Sequence, residues 1–334
     1  MREPWNVKVR TRLPAGLLVG LLLLTACGDL SSDPGSASAP PSPSSPSPAA
    51  GPTTHRRPAA TPEDRKEEDR KEAASSAPAG SGSGARAGAA ARPTVLYLGD
   101  SLATENQKVL GTLLRERVKA RYTSAPYSGT TLCDYLEGTG EKSLVPARDK
   151  AASLVRRLRP DFVVLQFWGN AWGYTPCMDG ITYDKARERY AARHAADAER
   201  LAGQITGAAS GTRIVWVLQG PDPITPDRVR RVNAVYERRA RASGGLLADA
   251  GKAVSPAGAR YTWAQYLPCT AYERAHAPYC TRPGSGRTAL HRDDDYLHFC
   301  LAPTTSTPRP CPVRSPGILR VARAITDVVA RSSG

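Results

Sequence analysis

Two stretches far apart in the chain carry side chains that can do nucleophilic chemistry together. The first is Gly99-Asp100-Ser101-Leu102, directly after the apolar run Val95, Leu96 and Leu98. A strand that breaks sharply into a helix leaves its turn residue at the carboxyl edge of a sheet, where open α/β sheets bind ligands. Gly99 permits the tight backbone, and Ser101 at the helix start sets its hydroxyl beside its own free amide. A serine nucleophile needs both exposure and donors for the oxyanion it creates. Taken alone, a Ser or Asp in this place reads first as a helix N-cap.

The far stretch changes that balance. It reads Asp293-Asp294-Asp295-Tyr296-Leu297-His298. A carboxylate three residues before a histidine, in a tight turn, can accept from its ring N–H. That fixes the tautomer and leaves the other nitrogen free to take a proton from Ser101. Two further groups are candidate oxyanion donors: the side-chain amide of Asn170 in Trp168-Gly169-Asn170, and the backbone N–H of Gly129. Gly138 and Gly140 are poorer alternatives to Gly129. His276 and His291 are alternative bases to His298, His194 is expected on the surface of a polar helix, and His55 falls in a linker. Trp168, Trp172 and Trp263 are available either to stack on sugar rings or to pack in the core.

The elements that must position these groups alternate regularly. Strands are expected at Thr94 onward, Arg121–Ala125, Asp161–Phe167, Arg213–Gln219 and Leu246–Asp249. Helices are expected at Glu105–Ala120, Arg148–Leu158, Tyr183–Ile205, Thr225/Pro226 to about Ala242, and Ser315–Pro316 to about Ala330. Such alternation predicts one domain, residues 94–334, with a parallel, helix-covered sheet of about five strands. The segment 261–312 is expected to be an irregular insertion stapled by cysteines.

Ser101, Gly129, Asn170 and His298, in that order, resemble the SGNH (GDSL) hydrolase superfamily across the whole of 94–334. Gly99-Asp100-Ser101-Leu102 matches the first block of that family, and Asp295 with His298 matches the last. The V-N-A-V-Y segment around Asn233 is also similar. In the third block, usually Gly-x-Asn-Asp, Trp168 stands at the Gly position and Ala171 at the Asp. This W-G-N variant is closer to actinobacterial envelope members. The resemblance implies a flavodoxin-like α/β/α sandwich with a Ser101, His298, Asp295 triad. It also implies an oxyanion hole from the N–H groups of Ser101 and Gly129 with Asn170, and no cofactor.

The remainder of the chain speaks to location. Arg2, Lys8, Arg10 and Arg12 precede the apolar run Ala15–Leu24, which is short for a membrane span and ends in Leu24-Thr25-Ala26-Cys27. This predicts a lipoprotein signal over 1–27, with lipid on Cys27 anchoring the protein to the outer face of the bacterial cytoplasmic membrane. Residues 28–93 begin Ser/Pro/Ala-rich, repeat Glu-Asp-Arg-Lys-Glu, and lack apolar side chains for a core, predicting a disordered tether. Removing Cys27 leaves Cys133, Cys177, Cys269, Cys280, Cys300 and Cys311, an even set that suits disulfides in an exported protein. Fifteen pairings are open; the local ones, Cys269–Cys280 and Cys300–Cys311, are favoured and leave Cys133 with Cys177. No close C-x-x-C spacing suggests a metal.

The chain carries a formal net charge of +15. That suits attraction to anionic envelope polymers as well as it suits compositional bias; no nucleic-acid recognition motif is present. The expected activity is hydrolysis of short acyl esters, acetyl above all, on an envelope glycan. The alternatives are acyl transfer by the same site, a glycan-binding lipoprotein without activity, and, less favoured for want of an apolar lid, a lipase.

Overall fold

In the computed structural model, residues 92–303 and 310–334 are described. Cys27 and the expected signal segment and tether, through residue 91, lie outside them. The first strand, β1 (Thr94–Gly99), leads straight into α1 (Ser101–Leu113), and β2 follows at Arg121–Ser124. Next come α2 (Ala151–Leu158), β3 (Phe162–Gln166), α3 (Arg187–Ala208), β4 (Arg213–Val217), α4 (Pro226–Ser243) and β5 (Leu246–Ala248). All five strands run parallel in the order β2-β1-β3-β4-β5. This is the flavodoxin-like order, with its switch point between β1 and β3.

The inner strands β1, β3 and β4 are apolar on both sides because both sides are covered. Leu96, Leu98, Val163, Leu165 and Trp216 face a cluster completed by α2, α3 and α4. Val95, Tyr97, Phe162, Val164 and Val215 face the opposite cluster, completed by α1 and the last helix, α7 (Pro316–Ser332). The result is a three-layer α/β/α sandwich.

Before α7 come a short helix α5 (Ala250–Ala253), strands β6 (Tyr266–Pro268) and β7 (Arg287–Ala289), and α6 (Ala271–Ala275) between them. The segment expected to be irregular thus holds an antiparallel strand pair. Two forces order it. A disulfide joins Cys269 to Cys280, and Glu273 of α6 is buried against Arg320 of α7 at 2.7 Å. Disulfides Cys133–Cys177 and Cys300–Cys311 complete the three, a pairing that suits an oxidising compartment. Among the described residues, no helix is long and apolar enough to cross a membrane.

Other sequence expectations shift, and helix α2 begins at Ala151 rather than Arg148. Helix α1 begins at Ser101 rather than Glu105, because Asp100 caps it. Helix α3 begins at Arg187 rather than Tyr183; the residues between form a turn, with the Tyr183 N–H on the Ala171 carbonyl at 3.1 Å. His194 is buried rather than on the surface. Its ring lies between Tyr190 and Tyr236, with Nε2 3.2 Å from the Tyr236 hydroxyl. Burial, followed by the charge of Arg228, lowers its pKa to about 3, so the ring is neutral.

Candidate active site

The turn between β1 and α1 is held from both sides. Gly99 has no room for a side chain: a Cβ there would stand 2.1 Å from the Gln166 carbonyl oxygen on β3. Asp100 is buried, and its Oδ1 accepts the Leu102 N–H at 3.1 Å, the capping bond of α1. Its Oδ2 accepts the Trp168 N–H at 2.6 Å, tying the turn to the loop after β3. Burial raises its pKa to about 6, against these two backbone bonds and the charges of His298 and Arg228. Ser101 is therefore the first residue of α1, where the amide has no acceptor within the helix.

His298 reaches this serine from the loop before α7. Its Nε2 lies 3.0 Å from Ser101 Oγ. Its Nδ1 lies 3.0 and 3.2 Å from the two Asp295 oxygens, and Asp295 Oδ1 also accepts the backbone N–H groups of Leu297 and His298 at 3.2 and 3.1 Å. With the Nδ1 proton donated to Asp295, Nε2 of the neutral ring is an acceptor for the serine hydroxyl. Burial by itself would lower the His298 pKa. The Asp295 hydrogen bond and the charges of Glu105, Asp295 and Asp100 outweigh it and push the value up to about 9. Burial would raise that of Asp295, yet the bonds and charge of His298 hold it well below the usual carboxylate range.

Gly129 and Asn170 come from the loops after β2 and β3, the two strands on either side of β1. Gly129 has φ +78°, in a loop tied to the sheet by the Tyr127 N–H on the Gly99 carbonyl at 3.0 Å. Asn170 Nδ2 donates one proton to the Thr130 carbonyl at 2.7 Å, joining the two loops and leaving its second N–H for another acceptor. Gly169, at φ +80°, again leaves no space for a Cβ, which would meet Val232 at 2.9 Å. Its carbonyl is clamped by the Tyr190 hydroxyl at 2.7 Å and by Arg228, which also donates to the Trp168 carbonyl at 2.8 Å.

Ser101, Gly129, Asn170 and His298 share one cavity of about 290 Å³. Trp168, Trp172, Tyr174 and Tyr296 also line it. Trp168 and Trp172 stack at 5.2 Å, with the Arg228 guanidinium 3.6 Å from the Trp168 ring on its own account. The alternatives lie elsewhere. Gly138 and Gly140 border a separate cavity of about 520 Å³. His291 is buried and bonds the His298 carbonyl at 2.9 Å, while Trp263 bonds the Tyr296 carbonyl at 3.0 Å. His276 is exposed and stacked on Tyr272; Glu273 stands three residues before it, but that carboxylate is spent on Arg320 and the Thr270 N–H.

Reading the sequence missed Arg228, Tyr190, Tyr174, Tyr296 and Glu105. Arg228 and Tyr190 carry no local mark, since they meet the site through the packing of separate elements; Tyr296 lies within the quoted Asp293–His298 stretch, Tyr174 shortly after Asn170, and Glu105 one turn after Ser101 on α1. Glu105, buried on α1, accepts the N–H groups of Phe299 and Cys300 at 2.9 and 3.0 Å.

No protein-family model matches the sequence, and no curated protein matches it. Solved structures similar to it include a carbohydrate esterase family 3 from Talaromyces cellulolyticus, 13% identical, covering 72% of this chain and 98% of that one, with a TM-score of 0.45. The periplasmic domain of a lipopolysaccharide acetyltransferase from Salmonella ser. Paratyphi A is 10% identical, with coverage of 72% and 84% and a TM-score of 0.46. An acetyl esterase mutant with bound acetate is 14% identical, with coverage of 72% and 98% and a TM-score of 0.43.

Proposed function

We propose that this chain is an exported serine esterase of the SGNH/GDSL type that hydrolyses short acyl esters, acetyl above all, on an envelope glycan. One observation carries the reading: the unbroken chain from Ser101 Oγ to His298 Nε2 and from His298 Nδ1 to Asp295, at the base of an open cavity. In the proposed reaction, Ser101 Oγ bonds to the ester carbonyl carbon as its proton passes to His298 Nε2. Asp295 steadies the imidazolium. The oxyanion is held by the N–H groups of Ser101 and Gly129 and the free N–H of Asn170, each such donor worth about 3–4 kcal/mol. The tetrahedral species expels the alcohol, which takes the proton back from His298. Water then attacks the acyl-serine with His298 again as base, releasing the acid and restoring Ser101.

The cavity is at the small end of ligand pockets, which suits a short acyl group. Its partly exposed rings, Trp172, Tyr174 and Tyr296, suit the C–H face of a sugar. The lipid on Cys27, the tether 28–93, the domain boundary at 94 and the attraction to anionic polymers belong to the same proposal. They give an enzyme held at the membrane within reach of the surrounding glycan.

The test is p-nitrophenyl acetate hydrolysis by the full chain and by its Ser101→Ala and His298→Ala variants, with folding checked by circular dichroism. Each variant is expected to lose about a thousandfold or more in kcat. A wild type without activity, whose Ser101 also resists a sulfonyl fluoride, rules out hydrolysis and leaves a glycan-binding lipoprotein. With an acetylated donor and a glycan acceptor, transfer of label to the glycan instead of acetate release assigns the same site to acyl transfer.

A further inference from the structure

Glu105 is an oddity for an acid. It is 6% exposed, on the first turn and a half of α1, and among the described residues no basic side chain is bonded to its carboxylate. Its two oxygens are instead divided between two backbone donors of another segment: Oε1 takes the Phe299 N–H at 2.9 Å, and Oε2 takes the Cys300 N–H at 3.0 Å. Those amides belong to the two residues that follow His298. The Glu105 carbonyl takes a third donor, the Cys311 N–H at 3.1 Å, and Cys311 is disulfide-bonded to Cys300.

Ser101 and Glu105 are four residues apart on one helix and so stand one above the other on the same face. The nucleophile and the anchor of the base's loop are thereby measured from a single rigid turn. We infer that Glu105 is a positioning residue: its carboxylate locks the loop bearing His298 onto the nucleophile's own helix, and its charge helps to hold the imidazolium. The inference rests on the Ser101, His298, Asp295 reading.

The arrangement needs the ionised acid. A protonated carboxyl would turn one acceptor oxygen into an O–H facing an N–H, and one of the two loop bonds would be lost. Among the described residues, the titratable groups that face Glu105 are His298 and Asp295 from the loop and Tyr97 from β1. Burial raises the Glu105 pKa to about 7, with the His298 charge and the two N–H bonds opposing and Asp295 adding to the rise. The lock therefore loosens as pH falls through neutrality.

The experiment follows the His298 ring and the Phe299 and Cys300 amides by NMR in the full chain, beside p-nitrophenyl acetate kinetics, for wild type, E105Q and E105D. In E105Q the His298 titration is expected to move from about 9 toward the ordinary 6.5, and both amides to exchange faster. Its plateau kcat should fall about ten- to a hundredfold, with KM nearly unchanged. E105D should keep the raised His298 titration but lose kcat similarly, because the shorter acid retains charge without reaching both amides. An E105Q protein with unchanged His298 titration and unchanged amide exchange overturns the inference. If E105Q fails to fold, wild type alone decides: the two amide shifts must follow a carboxyl titrating near neutral pH, and their failure to do so refutes the lock. The NMR arm needs no turnover. Shifts in an inactive wild type would uphold the lock and reject the esterase, whereas an active wild type with no shifts would do the reverse.

Discussion

Asp100 Oδ2 accepts the backbone N–H of Trp168 at 2.6 Å, across 68 residues of sequence. One buried carboxylate thus caps α1, the helix that Ser101 opens, and fixes the start of the loop that carries Asn170. Asp100→Ala would remove the cap and strand the buried Trp168 N–H, lowering unfolding free energy by about 2 kcal/mol. Urea denaturation measures this, and an unchanged midpoint would refute the shared role. Because burial raises this acid's folded pKa to about 6, the stability it confers is fullest near and below pH 4 and declines as pH rises through 6.

The pH profile follows from His298. In the proposed mechanism only its neutral form takes the serine proton, so kcat/KM for p-nitrophenyl acetate should rise with pH to a half-maximum at about pH 9. A half-maximum near 6.5 would mean that Asp295, Glu105 and Asp100 do not support the imidazolium. The linked effect on folding has the opposite sense. With the folded pKa above 6.5, the stability His298 contributes is complete below that value and lost as pH climbs through 9.

Arg228 and Asp222 form an ion pair at 2.9 Å with both side chains 1% exposed. Arg228→Ala would leave Asp222 charged, buried and unpaired, at about 3–5 kcal/mol. It would also free the Trp168 carbonyl and leave the Gly169 carbonyl to the Tyr190 hydroxyl alone, loosening the backbone that leads into Asn170. Where the protein still folds at low temperature, kcat should fall more than KM rises. A variant of normal stability and kcat would show that the loop holds itself.

Trp172 is 36% exposed at the cavity edge, beside Tyr174 at 5.9 Å between ring centres. Trp172→Ala should raise KM for an acetylated oligosaccharide about three- to tenfold while leaving p-nitrophenyl acetate nearly unaffected. Equal effects on both substrates would place this ring with the acyl group instead of the sugar.

Cys300 and Cys311 brace the segment directly after His298. Replacing both with serine should cost about 2–3 kcal/mol and reduce kcat, since the Cys311 N–H bond to the Glu105 carbonyl loses its support. Thermal unfolding together with kinetics tests this. Full kcat at normal melting temperature would show the brace to be dispensable.

Much of the architecture was legible in the chain because its signals are local. Val95–Leu98, Val163–Leu165 and Ile214–Val217 are apolar on every residue, as strands covered on both faces must be. The Gly99–Ser101 turn, the Asp295/His298 pair and the disulfides Cys269–Cys280 and Cys300–Cys311 join residues close in sequence, so spacing alone can bring them forward. What only the tertiary structure decided are contacts of long range. Glu105 meets Phe299 across 194 residues, and Arg228 meets Trp168 across 60. His194 lies in a helix of polar composition, yet its face is the one that packs on α4. Periodicity reports whether a side chain suits burial; it carries no record of which distant donor or acceptor will meet it there, because that is set by how the layers stack.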